Sequence, residues 1–401
     1  MASPLRLLFV SHSFPPSGRP LANIGGMQRV ATELDAALAR HPEVAYHHLV
    51  LRTSWRWTHV RVVPFLFRLL SQIPQWVTRH EIDVVLFSSM VTASLAPLLY
   101  RKLAARNTRL VAIAHGRDVT LPVAPYQRLL PYVFAHLDGV LAVSRATADA
   151  CQARGLPPER VHVIPNGINP ARFTPLLDRQ AARHALRQRF QLPFPEQGLL
   201  LCSVGRQVPR KGFAWFVDTV MPRLPAHVHY WLAGDGPEAA AIERAIARHR
   251  LEKRVRRLGR VPDNVLHQLY RAADLFIMPN RPVPGDMEGF GVVMLEAALC
   301  GAPVLAARLE GIQDVVAEGE NGHLIESGDA DGFVHWILRY DRDRTALQAL
   351  SKRAATYVRT YFSWDVVANR YVQTLRTICL AKQPEPALQA LDAASGLPAT
   401  E

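Results

Sequence analysis

Cysteine is scarce in this chain: four residues (Cys151, Cys202, Cys300, Cys379) in 401, widely scattered and with no CxxC. That excludes a disulfide scaffold and a zinc ribbon, and it fits a reducing compartment. Lysine is rarer than its charge class suggests, with only Lys102, Lys211, Lys253, Lys352 and Lys382. The basic content is therefore nearly all arginine. Long uncharged apolar runs are lacking too; the one near 289–307 is interrupted by Glu296. The first residues, Met1 to Pro4, are too short and too uncharged for a signal peptide. The expectation is a soluble, basic, cytoplasmic protein.

What is present is a large hydrophobic fraction, 49%, with 20% charged residues and a net charge of +13. Such a chain buries a substantial core and is long enough for two or three domains. The charge is uneven. Residues 1–170 hold 18 Arg and Lys against 9 Asp and Glu, whereas 171–401 hold 29 against 25. A basic first half suits an anionic partner such as a phospholipid surface, a phosphorylated acceptor or nucleic acid. No interleaved aromatic and basic strand motif of a nucleic-acid-binding fold is present, so nucleic acid is not expected as a partner.

Short apolar runs alternate with helical patterns along the chain. The runs 5–10, 46–51, 82–87, 109–114, 139–144 and 161–166 read as strands buried on both faces. Helical patterns lie near 26–40, 61–79, 92–105, 124–136 and 145–154, with Pro64 interrupting the second. A proline-rich stretch at 171–197 around one basic helix reads as a linker. Alternation resumes with 198–205, 227–234, 255–261, 274–279, 302–307 and 322–325, and a helical tail follows from about 331 to 381. The pattern predicts an α/β protein of two doubly wound domains facing a cleft. Residues 1–170 form the first, 171–197 the linker, 198–363 the second, and 382–401 a disordered tail. In such sheets ligands bind beyond the carboxyl ends of the strands.

The candidate site residues fall at such ends. Gly25 and Gly26 open a helix after a long loop, where bare backbone N–H groups favour a phosphate; a simple flexible turn is the alternative. Arg206 and Lys211 follow a strand and could neutralise a diphosphate, or form a solvated basic loop. Glu288 stands before a helix, as a site carboxylate or a helix cap. Glu296 is the lone charge on an apolar helix and needs hydrogen-bond donors, which a ribose diol supplies. His115 ends a strand. The GDGP loop at 234–237 lacks the third glycine of a dinucleotide fingerprint. Asp341-Arg342-Asp343 has DxD spacing but lies in a polar helical region and reads as a solvated face. Residues 52–70 mix Arg52, Arg56, Arg61 and Arg68 with Trp55, Trp57 and an apolar set, a composition suited to an anionic membrane surface. Packing inside the first domain is the alternative.

Together GGMQR, VIPNGIN, GRQVPRKG, AGDGP, EGFGVVMLEA, CGAPV and ENGHLIESGD resemble the retaining GT-B glycosyltransferases of family 4, from about residue 5 to 380. The fragment MPNRPVPGDMEGFGVVMLEA looks like bacterial mannosyltransferases acting on phosphatidylinositol-type lipids. The resemblance implies two Rossmann-like domains, with a C-terminal helix, about 364–381, crossing back to the first. It implies a nucleotide-diphosphate sugar donor, GDP-mannose favoured, and a lipid-linked or glycan acceptor. Arg206 and Lys211 would hold the diphosphate, Glu296 the ribose, Gly26 the phosphate and Val261 the base. Glu288 with the backbone of Phe290, Gly291 and Val292 would meet the sugar and its phosphate. His115 would approach the transferred sugar. Arg206, Lys211, Glu288 and His115 are the expected catalytic set, with no cofactor and no metal required. Acceptor and membrane contacts fall to Arg52, Trp55, Arg56, Trp57 and Arg61, on the inner face of the cell membrane. The sequence departs from the family at Glu310-Gly311, where Gly-Gly is usual. A nucleotide-sugar epimerase or a non-catalytic sugar-nucleotide-binding protein of the same fold are the alternatives.

Overall fold

A computed structural model describes residues 3–18, 26–173, 178–191 and 198–381, apart from the side chains of Trp55, Arg56 and Ala104. Gly25, parts of the 171–197 stretch and the tail 382–401 lie outside the described residues. The chain divides into two units. The first is 1–164 together with the chain from 367 onward; the second is 165–366.

The first unit is built on six parallel strands: β1 (Leu5–Phe14), β2 (Val44–Arg52), β3 (Val84–Phe87), β4 (Arg109–Ala114), β5 (Gly139–Ala142) and β6 (Val161–Val163). Their order is β2-β1-β3-β4-β5-β6. β3, β4 and β5 are buried at every position, as continuous apolar runs demand. β2 and β6 differ from the expectation of burial on both faces. They are the sheet's edges, and neither holds a fully buried residue. The pattern 92–105 is two helices, Met90–Ala93 and Ala96–Ala104. Pro97 lacks the N–H needed to continue a helix but is at home in a first turn. Pro64 does not interrupt: one helix runs through Trp55–His80 with Pro64 and Pro74 inside it. Pro64 lies on the exposed side, where water can satisfy the carbonyl that loses its partner.

The second unit holds β7 (Leu199–Val204), β8 (Val228–Ala233), β9 (Val255–Gly259), β10 (Leu275–Met278), β11 (Val304–Arg308) and β12 (Gly322–Glu326). All pairings are parallel, in the order β12-β11-β10-β7-β8-β9. The chain winds outward from β7 to β9, then restarts beside β7 with β10. That places the topological switch between β7 and β10.

The linker reading of 171–197 is revised for its helix. Asp178 caps Arg179–Phe190 by accepting from the N–H groups of Gln180 and Ala181. Arg179 and Arg183, one helical turn apart, both reach Asp274, at 3.0 and 2.5 Å. Asp274 is buried, and it also accepts the N–H of Leu200 at 2.7 Å. The basic helix is thus fastened to the second sheet. At the other end of the chain, the helix Trp364–Leu380 has its part from Val367 in the first unit, where the Arg109 guanidinium donates to the carbonyls of Cys379 and Ala381.

Removing the shared carboxylate takes the ionic partner from two arginines and the acceptor from a backbone N–H. Asp274→Ala is expected to cost about 3–5 kcal/mol and to lower the melting temperature by on the order of 10 °C. Thermal melting followed by circular dichroism checks this; an unshifted transition would contradict the fastening role.

Candidate active site

The switch point of the second unit gathers the charged residues. After β7 the chain makes a tight turn, Pro209–Lys211, and enters the helix Phe213–Thr219. After β10 it runs through Pro279 and Asn280 to Glu288. The two loops approach so closely that a Cβ on Gly212 (φ +65°) would stand 2.0 Å from the Pro279 carbonyl oxygen. Only glycine fits there.

Glu288 is the hub. Its Oε2 lies 2.6 Å from Lys211 Nζ, accepts from Arg210 Nη1, and accepts from Asn280 Nδ2 at 3.2 Å. Arg210 Nε also meets Asp286 Oδ1 at 3.1 Å. Burial would raise the Glu288 carboxyl, but Lys211 and Arg210 outweigh it and hold the group below the usual range. Burial lowers the Lys211 ammonium, and the Glu288 charge opposes that fall. Glu288 makes no helix cap: Gly291 precedes the helix Val292–Leu299, with no side-chain cap on its first turn. A buried ammonium, Lys211, and a half-buried guanidinium, Arg210, therefore stand near a helix start with no side-chain cap, an arrangement that suits an anionic ligand.

The cluster differs from expectation in one member. The guanidinium beside Lys211 belongs to Arg210, which the sequence analysis passed over; Arg206 is exposed just past β7 and takes no part among the described residues. Arg210 was within reach, since it adjoins Lys211 in the same turn. Asn280 was also missed. It is buried, and its Oδ1 finds no partner among the described residues. The GDGP loop serves the backbone of this site: Gln207 donates to the carbonyls of Gly234 and Asp235, each at 3.0 Å.

Glu296 is buried on the helix Val292–Leu299 and accepts the Tyr270 hydroxyl at 2.8 Å. A protein donor thus meets part of the need that the sequence assigned to a ribose. Tyr270 was legible only as a helix residue, Asp263–Ala272. Phe290 is buried near the Phe362 ring, Gly291 and Val292 are half-buried at the helix start, and Val261 is half-buried after β9. Asp341 is no solvated face: it pairs with His227 at 2.8 Å and Arg344 at 2.7 Å, while Asp343 caps the helix Arg344–Phe362.

In the first unit Gly26 is exposed at the start of the helix Gly26–Arg40. His115 follows β4. Its N–H donates to Asp118 Oδ1 at 2.7 Å, and its Nε2 lies 2.9 Å from the Ser88 carbonyl oxygen. A carbonyl only accepts, so Nε2 is the donor in this contact. His12, absent from the sequence candidates, lies near Ser13 and Ser89 at the end of β1. Burial, with His115 adding to it, lowers its proton affinity to a pKa of about 4, so it is neutral at pH 7. Of the interfacial candidates, Arg52 stacks over Phe14 at 5.3 Å, and Trp57 and Arg61 are exposed. The side chains of Trp55 and Arg56 lie outside the described residues.

Comparison with known proteins adds an independent line. The family described as "Glycosyltransferase Family 4" matches residues 24–172, and "Glycosyl transferases group 1" matches residues 198–343. The chain is 28% identical over 368 residues to a GDP-mannose-dependent alpha-(1-6)-phosphatidylinositol monomannoside mannosyltransferase of Mycolicibacterium smegmatis, covering 86% of this chain and 92% of that one. It is 24% identical over 375 residues to N-acetyl-alpha-D-glucosaminyl L-malate synthase of Bacillus anthracis, covering 87% and 93%. Among solved structures it resembles Anabaena HepE in complex with UDP (TM-score 0.69, 21% identity, 93% of this chain and 100% of that one). It also resembles the catalytic domain of starch synthase IV from Arabidopsis thaliana (TM-score 0.73, 17% identity, 94% and 100%). The fold is the two-domain, Rossmann-like GT-B fold.

The Tyr270–Glu296 contact can be tested without any ligand. Tyr270→Phe takes a donor from a buried carboxylate, at a cost of about 1–3 kcal/mol. Melting a few degrees below the parent protein is expected, whereas identical transitions would contradict the contact.

Proposed function

The chain belongs to the family 4 glycosyltransferases, and from that premise we propose that it transfers a hexose, mannose, from a nucleotide-diphosphate sugar to a hydroxyl of a lipid-linked or glycan acceptor, with retention. The observation that carries the reading is the pair Lys211 and Arg210, held charged by Glu288 at the switch of the second sheet. Breaking the anomeric C–O bond leaves negative charge on a diphosphate. Cations and helix N–H groups already in place stabilise that charge as it develops. Lys211 and Arg210, with Arg206 at the rim, bind the diphosphate. The N–H groups of Phe290, Gly291 and Val292 face the sugar phosphate, and Val261 lies by the base. Glu288 and Asn280 Oδ1, which has no partner among the described residues, accept sugar hydroxyls, and Glu296 accepts from the ribose. His115 offers Nδ1 to a sugar hydroxyl, and Gly26 offers its N–H to a phosphate. The side-chain cations supply the charge that a divalent ion would otherwise bring. The mannosyltransferase of Mycolicibacterium smegmatis supports the choice of mannose.

A panel of GDP-mannose, UDP-glucose, UDP-galactose and UDP-N-acetylglucosamine, with and without EDTA, tests this reading. GDP-mannose should raise the melting temperature most and be consumed in an acceptor-dependent way, unaffected by EDTA. Thermal protection without turnover would favour a non-catalytic binding protein, and acceptor-independent conversion an epimerase. Lys211→Ala should lower kcat by roughly 10²-fold with a smaller change in donor KM, because the charge it meets grows in the transition state.

The acceptor is read as lipid-linked, with the enzyme peripheral on an anionic membrane. Support comes from the helix Trp55–His80, which is amphipathic in an unusual sense. Phe65, Leu69, Ile73 and Val77 bury one stripe in the core. Trp57, Val60, Val63 and Phe67 are 52–71% exposed, alongside the exposed Arg61 and Arg68. An apolar face flanked by arginines fits the interface of an anionic bilayer. No helix among the described residues is long and apolar enough to cross a membrane. Sedimentation with liposomes containing anionic lipid, and its loss when Arg52, Arg56 and Arg61 are all replaced by Glu, is expected. Equal sedimentation of both proteins, or none by either, would contradict it.

A further inference from the structure

The turn after β11 holds a residue in a backbone state that suits glycine. Glu310 has φ +46°, in the left-handed region where a Cβ is disfavoured. Its side chain is half-buried, and Oε2 accepts the N–H of Glu288 at 2.5 Å. The next residue completes the hold, since Gly311 N–H donates to the Glu288 carbonyl at 3.1 Å. A Cβ on Gly311 would stand 1.9 Å from the Gly289 carbonyl oxygen, so the two turns touch backbone to backbone. Both backbone polar groups of Glu288 are thus gripped by residues 310 and 311.

Glycine at 310 would adopt the same turn without steric cost. Glutamate adds strain, and it adds a carboxylate where carboxylates are already crowded. Burial raises the Glu310 carboxyl, and the charges of Glu288 and Asp286 push it the same way; the Glu288 N–H and Arg210 oppose them. Arg210 therefore stands among three carboxylates, Asp286, Glu288 and Glu310, while Lys211 is paired with Glu288. A strained, half-buried acid held against like charges is a feature to be explained by what it does.

We infer that Glu310 is a positioning and specificity-determining residue: it fixes the turn that carries Glu288, and as a third carboxylate it turns away donors whose sugar bears an acid group. The inference rests on the placement of the donor sugar at Glu288 given above. A neutral hexose presents hydroxyl donors to these acceptors. A uronate presents another anion, on the side of the site where Glu288 and Glu310 place their own.

The test compares the parent enzyme with Glu310→Gly and Glu310→Gln. Three quantities are read: melting temperature, kcat with the preferred neutral donor, and the kcat/KM ratio of a neutral to an acidic donor on one nucleotide. UDP-glucose with UDP-glucuronate, or GDP-mannose with GDP-mannuronate, serves for the ratio. Both variants should melt within about 3 °C of the parent, since glycine regains backbone ease and glutamine keeps an acceptor. Glu310→Gly should lower kcat about tenfold and the donor ratio at least tenfold. Glu310→Gln should hold kcat within about threefold yet lower the ratio as far. An active parent with kcat and ratio unchanged in both variants would overturn this inference alone. So would a parent that accepts the acidic donor as readily as the neutral one, or kcat losses that simply follow a fall in melting temperature. A parent that transfers from no donor at all would overturn the functional reading, and this inference with it.

Discussion

Keeping a buried lysine charged beside an arginine is the constraint on which the second unit depends. Burial alone favours the neutral amine of Lys211, and a neutral amine is a poor ligand for any anion. Glu288 is the counter-ion that resolves the conflict, and it is 78 residues from Arg210 in the chain. Only the sheet order, with β10 laid beside β7, brings them within a hydrogen bond. The pair costs desolvation on both sides, so it is poor evidence for stability. As preparation for an incoming anion it makes physical sense. The carboxylate holds the cations in place, 2.6 Å away in the case of Lys211.

Much of this fold was legible because parallel strands buried on both faces have no choice but to be apolar throughout. The runs at 82–87, 109–114 and 198–205 hold the strands Val84–Phe87, Arg109–Ala114 and Leu199–Val204 for that reason. Apolar content does not reveal rank within a sheet, however. β2 has the same look as its neighbours and is an edge. Nor does composition reveal where a basic helix docks. The segment around Arg179–Phe190 reads as linker by its prolines and charge, and only the i, i+4 spacing of Arg179 and Arg183 hints that one acid could hold both.

The candidate site was legible in part, along the same divide. Lys211 and Glu288 stood out by rarity and by position after strands, and the structure joins them. Arg210 was hidden by having a lysine for its neighbour. Nothing in the sequence says which residue of a tight turn faces inward. Tyr270 was hidden by register, since its partner is 26 residues away on another helix. His12 was hidden by a boundary: the apolar run ends at Val10, but β1 continues to Phe14 and carries the histidine to the sheet's carboxyl end. Glu310 was visible only as a departure from a glycine pattern. Its meaning came from the backbone angle and from the N–H that it holds.

Net charge was the least informative signal, and the structure explains why. The basic excess of the first half is a sum over arginines doing different work. Arg6 is paired with Glu81 and Asp83, both at 2.6 Å. Arg109 is buried against Asp138 and the end of the helix Trp364–Leu380. Neither can offer its charge to a distant partner, since each is neutralised locally. Arg61 and Arg68 differ in standing exposed on a helix whose outer face also shows Trp57, Val60 and Phe67 to solvent. Long-range attraction to an anionic surface depends on uncompensated charge, and apolar side chains add affinity only where they are free to leave water. On the helix Trp55–His80 exposed arginines and exposed apolar side chains stand together. Charge counted along a sequence cannot separate these cases, because compensation is a property of neighbours in space.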